Sequence, residues 1–188
     1  SVKTILGIDT QPPLLRYSDK VVFVRHDVVR SFTQLLSEHS VDTLVHLAFV
    51  MKPPRGGSGN QTNTTGSLMT FRSASEAGVD HIIYLSSTTV YGAHKRSAAP
   101  LAEDSPLHPN EGFRYAVDKT AAEFTLEEVA RTSPNMIATT VLRACPVIGQ
   151  GADNFVSRAF DKPFLVAVCD ANPQMQLIHE NDLEEILA

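Results

Sequence analysis

His81-Ile-Ile-Tyr-Leu-Ser-Ser-Thr-Thr-Val-Tyr-Gly92 is the stretch on which the reading of the chain turns. Its opening, His81 to Leu85, is a short apolar run with β-branched and aromatic side chains, which predicts a strand, and the hydroxyls after it sit at that strand's carboxyl end. Upstream, Thr64 to Ala77 predicts a helix closed by Gly78. Downstream, Phe113 to Arg131 is rich in Ala, Glu, Leu and Lys and free of Gly and Pro, as a helix interior requires. Further out, Val2 to Ile8, Val21 to Val24, Val41 to Phe49 and Met136 to Leu142 predict strands, with a helix over Ser31 to His39. Strands that alternate with helices predict an α/β fold: a doubly wound, mostly parallel sheet covered on both faces, with crossovers of fixed hand.

Chemistry enters where the helix from Phe113 begins. Tyr115 and Lys119 stand four residues apart, so a helix stacks them on one face, and Ser87 lies at the end of the strand beside it. A hydroxyl, a phenol and an ammonium are the groups that move a proton on or off a carbinol oxygen while hydride leaves or joins its carbon. A free tyrosine, with a pKa of about 10, is a poor base at neutral pH; a neighbouring cation favours the phenolate, and Lys119 is expected to lower it. Ser87 would hold the substrate oxygen. A second Tyr-x-x-x-Lys copy, Tyr91 to Lys95, runs into Gly92 and Pro100 and reads as loop.

With 188 residues, 43% of them hydrophobic, the chain can bury one sizeable core. A net charge of −5 without a local Lys/Arg cluster argues against nucleic acid as a partner, and the apolar runs are too short to span a membrane. Cys145 and Cys169 have neither metal spacing nor a Cys-x-x-Cys pairing, which suits a reducing compartment, so cytoplasm is the default expectation. No metal site is predicted, and His179 reads as loop before a helix over Asp182 to Ala188.

Ligands of parallel α/β sheets collect at the carboxyl ends of the strands. Asp9 ends the first strand, where a carboxylate can accept both ribose hydroxyls of an adenosine and repel a 2'-phosphate, favouring NAD over NADP; it reads equally as a turn residue before Gln11, Pro12 and Pro13. Residues 52–62, rich in Gly and Pro, predict a loop that could act as a lid, and Gly92 to Pro109 predicts a second long loop beside Tyr115. After Gly149 the elements shorten: a helix over Asn154 to Phe160 and strands over Phe164 to Val168 and Met175 to Ile178 predict a small lobe. Residues 1–150 are thus expected to be a cofactor-binding domain and 151–188 part of a substrate-binding lobe.

With these residues placed, the chain resembles the extended short-chain dehydrogenase/reductase superfamily, specifically the NAD-dependent epimerase/dehydratase family. The matching pieces are Gly-Ile-Asp9, His26-Asp27, His46-Leu-Ala48, Asn63-Thr-Thr-Gly66, the run 85–92, Tyr115-Ala-Val-Asp-Lys119, Leu142-Arg143 with Gly149, and His179-Glu-Asn-Asp182, all in order. The resemblance implies a Rossmann-like fold, NAD as cofactor, Ser87, Tyr115 and Lys119 as catalytic residues, and Lys119 on the nicotinamide ribose. It also implies Asp9 on the adenine ribose, Asp27 on the adenine, and Leu47 and Ala48 along the cofactor trough. The family begins with a strand and a Gly-x-x-Gly-x-x-Gly turn that grips the pyrophosphate; nothing before Val2 supplies them, so the expectation is a chain lacking that first strand, with a partial substrate lobe.

Where family epimerases carry Asn after the Leu-Arg pair, Pro146 stands here, and Thr88 and Thr89 replace the Asp-Glu of dehydratases, which disfavours dehydration. The resemblance therefore implies an NAD-dependent oxidoreductase or epimerase acting on a secondary alcohol, nucleotide-sugars included. A non-catalytic NAD(P)-binding sensor of the same fold is the alternative. Family dimers imply a homodimer paired through the two predicted helices, with Ala121, Ala122 and Phe124 as its face or as core.

Overall fold

The computed structural model describes residues 2–13, 18–51, 62–94, 100–160, 162–164 and 174–187. Its strands are β1 (Ile5–Asp9), β2 (Val21–Arg25), β3 (Thr43–His46), β4 (His81–Ser87), β5 (Ala138–Ala144), β6 (Val147–Ile148) and β7 (Ile178–His179). The helices are α1 (Thr33–Glu38), α2 (Ser67–Ala77), α3 (Arg114–Thr132), α4 (Ser157–Phe160) and α5 (Glu180–Leu187). Every pairing is parallel, as the alternation of strands and helices predicts, and the result is a Rossmann-like α/β fold.

The hydrogen-bonded ladder is not continuous among the described residues. It falls into β1–β2, β3–β4–β5 and β6–β7. Nor are both faces of the central ladder covered there. β3 alternates exposed Thr43 and Val45 with buried Leu44 and His46, and in β4 Ile82 and Tyr84 are fully buried while their neighbours are half-exposed. The covered face carries the core. Phe71 and Ala74 of α2, Ala122, Leu126 and Val129 of α3, Leu36 of α1 and Phe32 just before it pack against it, with Leu6 and Ile8 of β1 joining the same cluster. Ala122 is therefore core, whereas Ala121 is exposed and Phe124 is 55% exposed.

Differences at element ends have local causes. The strand expected to reach Phe49 stops at His46, and four residues on the N–H and C=O of Val50 are both taken by the Asn63 side chain, at 2.8 and 3.0 Å. The helix expected from Thr64 opens instead as a π-helical turn, Thr62–Gly66. A β-carbon on Gly66 would stand 2.9 Å from a Val28 methyl, so the turn approaches the β2–α1 connection as only glycine allows. Gly78 ends α2 in the left-handed conformation, φ 76°, its N–H returning to Ser75 O, while Val79 N–H bonds Ala74 O.

Beyond Gly149 the helix expected from Asn154 is the short α4, since Asn154 serves as its cap: Oδ1 accepts from Val156 N and Ser157 N at 2.9 and 3.2 Å. The strand expected over Met175 to Ile178 is the two-residue β7, paired with β6, and α5 starts at Glu180, earlier than expected. The expected strand Phe164 to Val168 lies outside the described residues beyond Phe164, and so do most of the 52–62 loop, Lys95 and Cys169. No helix among the described residues is long and apolar enough to cross a membrane.

Candidate active site

β4 delivers Ser87 and α3 delivers Tyr115 and Lys119, one turn apart on the face turned to that strand end. Ser87 keeps extended backbone while the chain turns into a 3-10 turn, Thr88–Tyr91, and its Oγ accepts from Thr89 N and Thr89 Oγ1 at 3.3 and 3.0 Å. Burial pushes the Tyr115 phenol above its ordinary value, and the Ser87 hydroxyl beside it pulls the other way. The three residues predicted from sequence thus come together.

Lys119 does not do what the sequence led us to expect. It is 3% exposed, and its Nζ donates to Leu85 O at 2.6 Å. The ring centres of Phe49, Tyr84 and Tyr115 lie 3.9, 4.9 and 5.8 Å from the ammonium. Burial holds its pKa down at about 7, opposed by the nearby Glu123 carboxylate. Burial is thus what shifts the phenol most, upward, with the Ser87 hydroxyl opposing it, while the ammonium is itself desolvated and turned to a backbone carbonyl.

Beneath this pair lies an aromatic floor. Tyr84 is fully buried, its hydroxyl has no hydrogen-bond partner among the described residues, and burial pushes it up, with Tyr115, Glu123 and Asp118 adding to the effect. His46 stacks on Tyr84 at 5.6 Å and bonds Ser67 Oγ through Nε2 at 3.0 Å; burial first, and then Lys119, lowers its pKa to about 3.

Two side-chain clusters missed by sequence reasoning brace the site. Asn63, besides holding Val50, donates to Asp118 Oδ2 at 3.1 Å, and Arg114 Nε lies 2.6 Å from Asp118 Oδ1. This ties the chain after β3, and with it Phe49, to α3. The second cluster centres on Glu123, which accepts from Ser86 Oγ and from Arg143 Nε and Nη2, the last at 2.9 Å. Arg143 Nη1 in turn donates to Tyr91 OH and Glu103 O, both at 2.7 Å. Tyr91, the tyrosine of the second Tyr-x-x-x-Lys copy, is thus committed to Arg143. The continuation of the stripe 115, 119, 123 in four-residue steps was the available signal for Glu123.

The cofactor residues expected from the resemblance are more loosely disposed. Asp9 ends β1 exposed, its Oδ1 accepting from Gln11 N at 2.8 Å, so the turn role is realised. Asp27 follows β2, also exposed, with Oδ1 accepting from Val29 N at 3.2 Å. Since Asp9 pairs with Arg25 and its C=O accepts from His26 N, both carboxylates stand at the same end of the β1–β2 pair. Leu47 is 53% exposed and Ala48 half-buried, just past the end of β3. His179, expected in a loop, ends β7 instead, and its Nδ1 accepts from Asn181 N in the first turn of α5. Among the described residues no cluster of three or more His, Cys, Asp or Glu is placed to hold a metal.

A parallel α/β arrangement with a Ser-Tyr-Lys cluster at the end of a central strand defines a Rossmann-like protein of the short-chain dehydrogenase/reductase type. The sequence matches the NAD dependent epimerase/dehydratase family over residues 4–183, and the chain belongs to that family. It is 26% identical, over 189 aligned residues, to uncharacterized proteins of Mycobacterium bovis and Mycobacterium tuberculosis, covering 96% of this chain and 50% of theirs. The chain thus spans about half the length of the curated relatives it matches.

Among solved structures it is similar in fold to MoeE5 in complex with UDP-glucuronic acid and NAD, with a TM-score of 0.78 and 23% identity, over 99% of this chain and 63% of that one. The dTDP-glucose 4,6-dehydratase DesIV from Streptomyces venezuelae, with NAD bound, gives a TM-score of 0.78 at 21% identity, over 100% of this chain and 62% of its own. The NAD dependent NDP-hexosamine 5,6-dehydratase TunA gives 0.75 at 23%, over 98% and 62%.

Proposed function

We propose that the chain carries the catalytic centre of an NAD-dependent oxidoreductase or epimerase that acts on a secondary alcohol of a nucleotide-sugar. The observation that carries this reading is the convergence of Ser87, Tyr115 and Lys119 at one strand end. The residues fit the cofactor in kind. A buried ammonium with donor capacity suits the hydroxyls of the nicotinamide ribose, and Asp9 and Asp27 offer exposed carboxylates for the adenosine end. Leu47 and Ala48 would line the trough between them. NAD, when bound, supplies the hydride acceptor and donor.

The protein's own part is positioning and proton transfer. Ser87 Oγ holds the substrate oxygen beside the Tyr115 phenol. Tyr115, kept protonated at neutral pH by burial, hands its proton to a carbonyl oxygen in the reducing direction and takes one back from the carbinol in the other. Lys119 would hold the ribose of NAD by hydrogen bonds from its ammonium. Residues 1–150 act as the cofactor domain and 151–188 as part of the substrate lobe, and the exposed Phe124 on α3, beside α2, would serve pairing with a second copy.

The test is a screen of the full-length protein against UDP- and dTDP-sugars, read by NADH absorbance and by sugar product. Turnover of one of these that is lost on Tyr115→Phe is expected. Tight NAD binding without turnover on any of them would leave the sensor reading in its place.

A further inference from the structure

The Lys119 ammonium has three donors, and its surroundings account for their directions: Leu85 O accepts one at 2.6 Å, and the rings of Phe49, Tyr84 and Tyr115 stand around the others. A hydroxyl that is to accept a hydrogen bond from Nζ must come to about 3 Å of it, inside the space that a ring now holds. Phe49 is the nearest of the three rings and covers the ammonium most closely. Tyr84 is fully buried in β4, which is paired on both sides, and the Tyr115 ring stands farthest off.

Phe49 lies in the irregular segment after β3, half-buried, with its ring edge-on to Tyr115 at 5.4 Å. Its chain neighbour Val50 is pinned through both backbone groups to Asn63, and Asn63 to Asp118, so the backbone at this point is anchored to α3 while the ring swings on its own side-chain bonds. We propose that Phe49 governs access to Lys119: its ring covers the ammonium and must turn aside before Lys119 can bond the vicinal hydroxyls of a ribose. The ligand half of this inference rests on the cofactor reading above; the cover itself does not.

The experiment separates the two. The folded full-length protein is acylated with an amine-selective ester at about pH 10, where even an amine of ordinary pKa is neutral in roughly a quarter of the molecules, and modification of Lys119 is followed by peptide mass spectrometry. Phe49→Ala is expected to speed acylation of Lys119 roughly ten-fold, with Lys3 and Lys20 as unchanged internal references; NAD is expected to associate faster and to slow the acylation. An unchanged Lys119 rate in Phe49→Ala would overturn the proposal, whether or not NAD binds. Faster acylation with no NAD binding to either protein would uphold the cover and overturn the cofactor reading. Should Phe49→Ala lose its cooperative melt, Phe49→Leu serves instead, with a smaller acceleration expected and an unchanged rate again overturning the proposal.

Discussion

Lys119 and Glu123 stand one turn apart on the same face of α3, exposed by only 3% and 6%, and the protein treats them in opposite ways. Glu123 receives two nitrogens of Arg143 and the hydroxyl of Ser86, an arrangement that satisfies both of its oxygens. Lys119 has no carboxylate within ion-pair distance among the described residues; it has a carbonyl and three rings. A fully paired buried charge holds elements together, here β4, β5, α3 and the backbone at Glu103. A buried charge left with unspent capacity costs stability, and such groups gather where a ligand will use them. The comparison thus separates a brace from a site within one helix.

The contrast can be broken most severely at the phenol. Tyr115→Phe is expected to lower kcat by about 10²- to 10⁴-fold, the usual worth of a general acid/base, while thermal unfolding stays close to the parent's. Steady-state kinetics beside a melting curve decide it; retained turnover would remove Tyr115 from the chemistry.

Next is the unpaired cation. Because the Lys119 pKa is lowered from 10.5 to about 7, the unfolded chain binds a proton that the folded one does not over that interval. The parent's stability therefore carries its full penalty below about pH 7 and recovers as pH rises toward 10.5. Lys119→Met is expected to gain most relative to the parent in the acid range, with the advantage shrinking toward alkaline pH by on the order of 4 kcal/mol. Urea unfolding of both proteins across pH checks the sign.

At the brace, Glu123→Ala leaves the Arg143 guanidinium and the Ser86 hydroxyl without their acceptor. Since Arg143 retains 23% exposure, water recovers part of the loss, and a destabilisation of about 2–4 kcal/mol is expected. Glu123→Leu combined with Arg143→Met should recover much of it in the same unfolding measurement. The smallest effect is expected at Tyr91→Phe, about 1 kcal/mol for the bond to Arg143, with activity retained. Loss of activity there would make the two tyrosines alike, against the assignment of Tyr91 to the brace.

Much of this was legible in the sequence where it depended on local pattern. The alternation of apolar strands with helices gave the parallel class, Gly78 marked the end of α2, and the four-residue spacing put Tyr115 and Lys119 on one face. What was not legible depends on groups brought together from afar. Val50 is held by Asn63, thirteen residues beyond it, and no property of Val41 to Phe49 announces that tie. The division of the sheet into three ladders is likewise a matter of which strands meet. Phe49 looked like the tail of a strand, and only the fold turns its ring onto an ammonium. The burial of Lys119 and Tyr115 was hidden for a related reason: spacing reports that two groups are neighbours, and says nothing of the solvent each has lost.

His46 carries a consequence for any titration of this centre. Locked between aromatic rings and the Ser67 hydroxyl, its imidazole takes up a proton only near pH 3, and so stays silent across the whole physiological span. An inflection near neutrality would ordinarily be credited to the nearest histidine. At this centre the group that answers to such a midpoint is the Lys119 amine, whose pKa burial holds down at about 7.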